Sequence, residues 1–90
     1  MIDTAERYEL HPQVAIRPER FGALAYHFGN RRLTFLKAVT LVQLVERLGD
    51  HESVESALVA QGIPTATRAQ YVATLSALAT SEVIRKVPAC

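Results

Sequence analysis

Residues 21–36 of this 90-residue chain, Phe-Gly-Ala-Leu-Ala-Tyr-His-Phe-Gly-Asn-Arg-Arg-Leu-Thr-Phe-Leu, decide its fold. The Gly29-Asn30 pair interrupts a run of apolar residues, and this pair favours a tight turn because both residues tolerate positive φ. The stretch therefore predicts a β-hairpin. Its first strand, 21–28, carries apolar residues on both faces, which is typical of a central strand.

Two further strands follow from the same alternation. The return strand of the hairpin, 31–36, is predicted to turn Leu33 and Phe35 towards the core. An earlier strand over 14–17 is expected to end at Pro18, because proline cannot donate a hydrogen bond to a ladder. These segments predict a three-stranded antiparallel sheet.

Three helices are expected after the sheet. Thr40 and Thr67 begin patterns typical of capping boxes, and apolar residues follow both at helical spacing. Ser53 is the expected N-cap of the middle helix, and Gly62 is its expected end. The order of three strands and then three helices predicts an α+β fold that is winged-helix-like.

Composition limits the classes of function. With 10 Lys plus Arg and 9 Asp plus Glu, the net charge is +1, which gives no electrostatic case for nucleic acid or an anionic membrane. The sequence contains no apolar run of ~18 residues that could span a membrane. A single cysteine, Cys90, favours a reducing, cytoplasmic setting, and its role stays open. We expect a flexible lead-in at residues 1–7, one domain at residues 8–87 and a tail at residues 88–90.

No catalytic or metal-binding constellation is evident. His11, His27 and His51 are scattered and share no ligand spacing. The acidic stretch 50–52 is typical of a solvated loop. The glycines are too dispersed for a phosphate-binding loop. The sequence therefore favours a chain that is not an enzyme and that needs no cofactor.

Two features each leave two interpretations open. Within the predicted third helix, 65–80, Arg68 is the only charged residue, so its outer face is either an ordinary small polar surface or the wall of a groove that meets another chain. The third strand is flanked by Arg31, Arg32 and Lys37. These charges either protect an open sheet edge from pairing or attract an acidic peptide that adds as a further strand.

Residues 8–19, 21–26 and 32–36 carry a resemblance to a known family. The motif Arg-Pro-Glu-x-Phe-Gly-Ala-Leu at residues 17–24 is its most specific part. The chain resembles the mycofactocin precursor peptide chaperones, a family within the PqqD-like group of peptide-recognition domains. The resemblance extends over residues 8–83, and it implies the same winged-helix-like fold. Relatives often have a glycine after the third helix, where this chain has Thr80-Ser81-Glu82.

The resemblance also implies a function and a site. Such domains bind the leader of a short ribosomally made precursor peptide as a strand, and they present it to a radical S-adenosylmethionine maturase that holds the iron–sulfur cluster. Carried over by position, the third strand and the third helix would contribute the peptide-binding residues. These are Arg32, Leu33, Thr34, Phe35, Leu36 and Lys37 from the strand, and Arg68, Tyr71, Val72 and Leu75 from the helix.

Two alternatives to peptide binding stand beside this expectation. The fold class also occurs in winged-helix DNA-binding or regulatory domains, but fold alone does not settle function. A homodimer could also form through the open strand edge.

Overall fold

The computed structural model describes residues 2–87, so the expectations for the tail and for Cys90 lie outside the described residues. The strands are Tyr8–Leu10 (β1), Val14–Glu19 (β2), Gly22–His27 (β3), Leu33–Leu36 (β4) and Ile84–Lys86 (β5). The helices are Val39–Arg47 (α1), Val54–Ala60 (α2) and Arg68–Thr80 (α3). The main sheet has the antiparallel order β2-β3-β4, and β1 pairs with β5 in a separate two-stranded sheet. The expected three-stranded antiparallel sheet followed by three helices is confirmed.

The inner face of the main sheet is set by small residues on β3. Ala23 and Ala25 are fully buried and pair with Leu36 and Thr34 of β4, so Leu36 points into the core. The prediction that Leu33 and Phe35 turn inward is wrong, because these side chains are 61% and 58% exposed on the opposite face. A shift of one residue exchanges the two faces of a strand, and the alternation of β4 alone did not decide between them.

The hairpin between β3 and β4 forms as expected, but a buried histidine organises its turn. The positive φ of 61° belongs to Arg31, and neither Gly29 nor Asn30 adopts one. The His27 Nδ1 accepts the backbone N–H groups of Gly29 at 2.9 Å and Asn30 at 3.1 Å. The Asn30 Oδ1 accepts the Arg32 N–H at 2.9 Å. Side-chain acceptors therefore stabilise this turn, whereas the sequence predicted that positive φ at Gly29 and Asn30 would do so.

Strand β2 continues through Pro18, contrary to the expectation that it ends there. Pro18 lies opposite Ala23 in the ladder. The Phe28 N–H donates to the Gln13 C=O at 2.8 Å, which fixes the alternation of hydrogen-bonded pairs along this ladder. Pro18 then occupies a non-hydrogen-bonded position, where the missing N–H would face away from β3. An edge strand tolerates proline at such a position.

The predicted N-cap agrees with the structure at α2 only, while the predicted end of the third helix at residue 80 agrees with α3. The Ser53 Oγ accepts the Ser56 N–H at 3.1 Å, and Gly62 adopts φ of 75° after the last turn. Thr40 lies inside α1, whose N-cap is Ala38 without a side-chain hydrogen bond. Thr67 belongs to a 3₁₀ turn and makes no capping bond to α3. Both expected capping boxes are therefore wrong.

The exit from α3 joins the helix to the hairpin. Glu82 adopts φ of 66°, and its N–H donates to the Ala79 C=O at 3.1 Å in a glycine-type helix end. The Glu82 carboxylate accepts a hydrogen bond from the Asn30 Nδ2 at 3.2 Å and lies 3.8 Å from the buried His27 Nε2. Glu82 therefore adopts the left-handed conformation that glycine usually provides at a helix end, and its side chain contacts the β3–β4 turn.

Residues 2–7 pack on the helices, although the sequence predicts a flexible lead-in. The Ile2 N–H donates to the Ser76 Oγ at 3.1 Å, and the Glu6 C=O accepts the Val54 N–H at 3.0 Å. The Arg7 guanidinium donates to the Gly49 C=O. This segment leads directly into β1, which holds β5 against the rest of the fold.

Gly22→Ala is expected to destabilise the protein strongly. Gly22 has φ of 147°, and an added Cβ would lie 2.0 Å from the Leu36 carbonyl oxygen. We expect a loss of about 2–4 kcal/mol in the free energy of unfolding, measured by urea denaturation. Gly62→Ala is the matched control, since its Cβ would meet nothing within 4 Å and only φ is unfavourable; it should lose about 1 kcal/mol. Equal losses would contradict the packing argument.

Stability is expected to fall in mild acid through His11. Burial lowers the pKa of His11 from its ordinary value of 6.5, and the neighbouring His27 lowers this pKa further. The centroids of the two imidazole rings are 4.4 Å apart. The unfolded chain then binds more protons than the folded one just below pH 6.5, so stability decreases as the pH falls through this window. The urea midpoint should drop less in His11→Asn, whose amide oxygen replaces the Nδ1 acceptor for the Gln13 N–H. An equal drop in both proteins would contradict this role.

Candidate functional site

Strand β4 presents an open backbone edge. It pairs with β3 on one side, and no strand among residues 2–87 pairs with its other side. The His27 N–H donates to the Arg32 C=O at 3.0 Å, which sets the alternation along this ladder. The backbone groups of Thr34 therefore face β3, whereas those of Leu33 and Phe35 point away from it and remain available to another strand.

A groove of about 350 Å³ lies between this edge and α3. Phe35 stands on the strand side, Gln70, Tyr71 and Thr74 stand on the α3 side, and the start of α1 contributes the remaining wall. The full set of lining residues is Phe35, Lys37, Ala38, Leu41, Gln70, Tyr71 and Thr74. We call this set the β4–α3 groove.

The strand residues predicted for the site divide into three groups. Arg32, Leu33, Phe35 and Lys37 are exposed. Thr34 is half-buried on the inner face of the sheet. The Leu36 side chain is fully buried, so it can contribute to a site only by holding β4 in place.

The helix residues predicted for the site are not all in the groove. Tyr71 lines it. Val72 is half-buried against the core, and Leu75 is 0% exposed, so neither forms the groove wall. The Arg68 Nε donates to the Ile63 C=O at 3.3 Å, in the connection that precedes α3.

Sequence reasoning missed Gln70 and Thr74, which stand beside Tyr71 in the groove. The expectation followed the apolar stripe of α3, and that stripe turns towards the core. The uncharged polar face of the same helix, which contains Gln70 and Thr74, was the better indicator of the groove wall. Small polar side chains line a groove without closing it, because they cover little of the neighbouring surface.

A second depression lies on the other side of Phe35. It measures about 280 Å³ and is lined by Phe21, Phe35 and Lys37. The Phe21 and Phe35 rings meet edge to face with centroids 5.8 Å apart. A strand added to β4 would place alternate side chains on the two sides of the sheet, so one set would reach the groove and the other set this depression.

Positive charge is concentrated around the sheet. Residues 12–42 contain five cations and one acid, a net charge of +4, while the remaining residues contain five cations and eight acids, a net charge of −3. Arg17 lies 3.4 Å from Glu19. Within residues 2–87 the other four cations, Arg20, Arg31, Arg32 and Lys37, form no ion pair. The open edge therefore favours an acidic partner.

The arrangement fits recognition of an extended peptide. Open backbone groups, flanking depressions for side chains and unpaired cations are the elements that bind a peptide by strand addition. No group of three metal-ligating side chains occurs among the residues described. None of the helices within residues 2–87 is long and apolar enough to cross a membrane.

Comparison with known proteins identifies the family. The model of the peptide chaperone MftB family matches residues 7–85. The chain belongs to the peptide chaperone MftB family. It is 48% identical over 82 residues to peptide chaperone MftB of Mycobacterium ulcerans (strain Agy99), which covers 91% of this chain and 75% of that protein. It is 48% identical over 77 residues to the protein of the same name from Mycolicibacterium smegmatis, which covers 86% of this chain and 76% of that protein. No solved structure matches the chain.

Membership of the MftB family confirms the resemblance found in the sequence. The curated relatives are named as peptide chaperones, which are non-catalytic, in agreement with the expectation that this chain is not an enzyme. The family match covers β1 to β5 almost completely, so it includes the open edge of β4 and the groove.

Proposed function

We propose that this chain is a non-catalytic chaperone that binds the leader of a short ribosomally made precursor peptide. In this function it presents the peptide to a radical S-adenosylmethionine maturase in mycofactocin biosynthesis, in the cytoplasm. Membership of the peptide chaperone family supports the class of function. The observation that carries the mode of binding is the open backbone of Leu33 and Phe35 beside the β4–α3 groove.

The leader adds to the sheet as a fourth strand. Its backbone pairs with the outward N–H and C=O groups of Leu33 and Phe35, and this pairing supplies affinity with little dependence on sequence. Alternate side chains enter the groove against Tyr71 and cover the depression at Phe21, and these contacts supply specificity. Acidic residues of the leader meet Arg32 and Lys37.

The remaining predicted residues shape the site or lie outside it. Leu36 and Leu75 hold β4 and α3 from within the core, and Val72 packs beside them. Thr34 pairs with Ala25 and carries no open backbone group in this geometry. The iron–sulfur cluster and S-adenosylmethionine belong to the maturase in this proposal.

The deciding experiment is a calorimetric titration with the full-length precursor peptide and with a version that lacks the leader. We expect affinity in the micromolar range or better, lost without the leader. Thr74→Trp should fill the groove and weaken binding about tenfold or more, roughly 1.4 kcal/mol. Ala73→Trp is the control, since Ala73 is exposed on α3 and does not line the groove. Equal affinity of both variants would place the peptide elsewhere.

Charge reversal at the strand edge tests the electrostatic contribution. Arg32→Glu is expected to weaken leader binding about tenfold at low salt and less at high salt, because ions screen exposed charges. Arg47→Glu, an exposed position in the last turn of α1, should leave binding within about twofold. Affinity of Arg32→Glu that equals the wild type at low salt would remove the acidic contacts from the proposal.

The DNA-binding alternative lacks support from α3. A recognition helix usually carries several Arg, Lys, Asn or Gln side chains to the DNA. Arg68, the single charged residue of α3, donates a hydrogen bond to the Ile63 C=O. A gel shift with duplex DNA at low salt should therefore show no complex.

A further inference from the structure

The face of the main sheet that points away from the helices is apolar and uncovered. The pairs Leu24–Phe35 and Tyr26–Leu33 lie on this face, opposite to the buried Ala23. Phe21 and Phe28 join them through edge-to-face contacts with Phe35 and Tyr26, with centroids 5.8 and 5.2 Å apart. We call this surface the outer sheet face; its members are Phe21, Leu24, Tyr26, Phe28, Leu33 and Phe35.

The outer sheet face is large for so small a protein. Phe21 is 45% exposed and Phe28 is 61% exposed, and Leu33 and Phe35 are similarly accessible. Together these side chains expose roughly 400 Å² of apolar surface, which is at the upper end for one patch on a monomer. Phe28 lines neither the groove nor the depression at Phe21, and it lies just beyond the end of β3, at the opposite end of the face from Phe21.

Charge around this face determines which kind of partner fits. The five cations of residues 12–42 lie on or next to the strands that carry this face, and Glu19 is the only acid in that range. A second copy of the chain would bring the same cations against them, and like charges disfavour such an interface. A different protein with an apolar surface and an acidic rim is complementary in both respects.

We propose that the outer sheet face docks the maturase, through an apolar surface on that enzyme rimmed by Asp and Glu. This inference rests on the proposed function and adds a second, separate contact surface to it. The leader occupies the edge, the groove and the depression beside Phe21 and Phe35, while the enzyme covers the rest of the face, which includes Leu24, Tyr26 and Phe28. The bound leader extends the same sheet, so its outward side chains become part of the surface that the enzyme contacts.

The size of the face implies that the two binding events are coupled. A stable interface usually buries about 800 Å² on each partner, roughly twice the apolar area available here. The added strand supplies further surface next to Phe35. The maturase is therefore expected to bind the chaperone–precursor complex more tightly than the free chaperone.

The test compares maturase and precursor affinities in two matched variants. Phe28→Ser removes an exposed aromatic ring that lies outside the β4–α3 groove, and Val59→Ser removes an apolar side chain of similar exposure, 57%, on α2. Phe28→Ser should weaken binding of the purified radical S-adenosylmethionine maturase to the chaperone–precursor complex at least about tenfold. Its precursor affinity should stay within about twofold of the wild type, and Val59→Ser should change neither. Circular dichroism confirms that the variants are folded.

A second variant covers the case in which Phe28→Ser does not fold. Arg17→Glu, an exposed position on β2 opposite Leu24 of the outer sheet face and on the far side of the sheet from the β4 edge, should slow maturase association at low salt and leave precursor affinity within about twofold. Maturase binding that neither variant weakens would overturn the proposal while leaving the peptide-binding function intact. Dimers of the chain that Phe28→Ser dissociates in sedimentation would also overturn it, by assigning the face to a second copy. If the wild type binds the maturase, Phe28→Ser weakens that binding and no precursor binds, then the leader-binding function fails while the docking surface stands.

Discussion

The close approach of Gly22 to the Leu36 carbonyl fixes how β4 lies against β3. Without a side chain at Gly22, the end of β4 can pass directly over the start of β3. Ala23 and Ala25 leave room for Leu36 to fill the core, and Phe35 is then turned outward. The exposed edge, the groove and the outer sheet face all depend on this register, because a shift of one residue would bury Phe35 and expose Leu36.

The two walls of the groove come from distant parts of the chain and are tied together at a second place. Glu82, just after α3, holds Asn30 of the β3–β4 turn and lies near the buried His27. The conformation of Glu82 is unfavourable for a residue with a side chain, at a cost of about 1 kcal/mol. Its contacts with the turn offset that cost and connect the helix that forms one wall to the hairpin that forms the other.

The protein offers few side-chain groups for specific contacts, but the shape and charge of its surface explain how it could still select among peptides. In the proposed function, backbone pairing at β4 would accept many leader sequences, while the depressions beside Phe35 and the cations Arg32 and Lys37 would restrict them. The peptide chaperone family to which the chain belongs fits this division. Under the proposed docking, the part of the outer sheet face around Phe28 would leave room for a second protein while the peptide stays bound.

The sequence by itself determined the element order, the Ser53 and Gly62 ends of α2, the central place of β3 and the family, because local spacing and turn chemistry decide these features. The sequence predicted the orientation of Leu33 and Phe35 wrongly, since both faces of β4 carry an apolar residue. Only the pairing with the buried Ala23 and Ala25 determines which face of β4 points to the core. Gln70 and Thr74 acquire their place opposite Phe35 only when α3 packs on the core. A groove between segments some 35 residues apart depends on long-range packing, and local patterns do not contain that information.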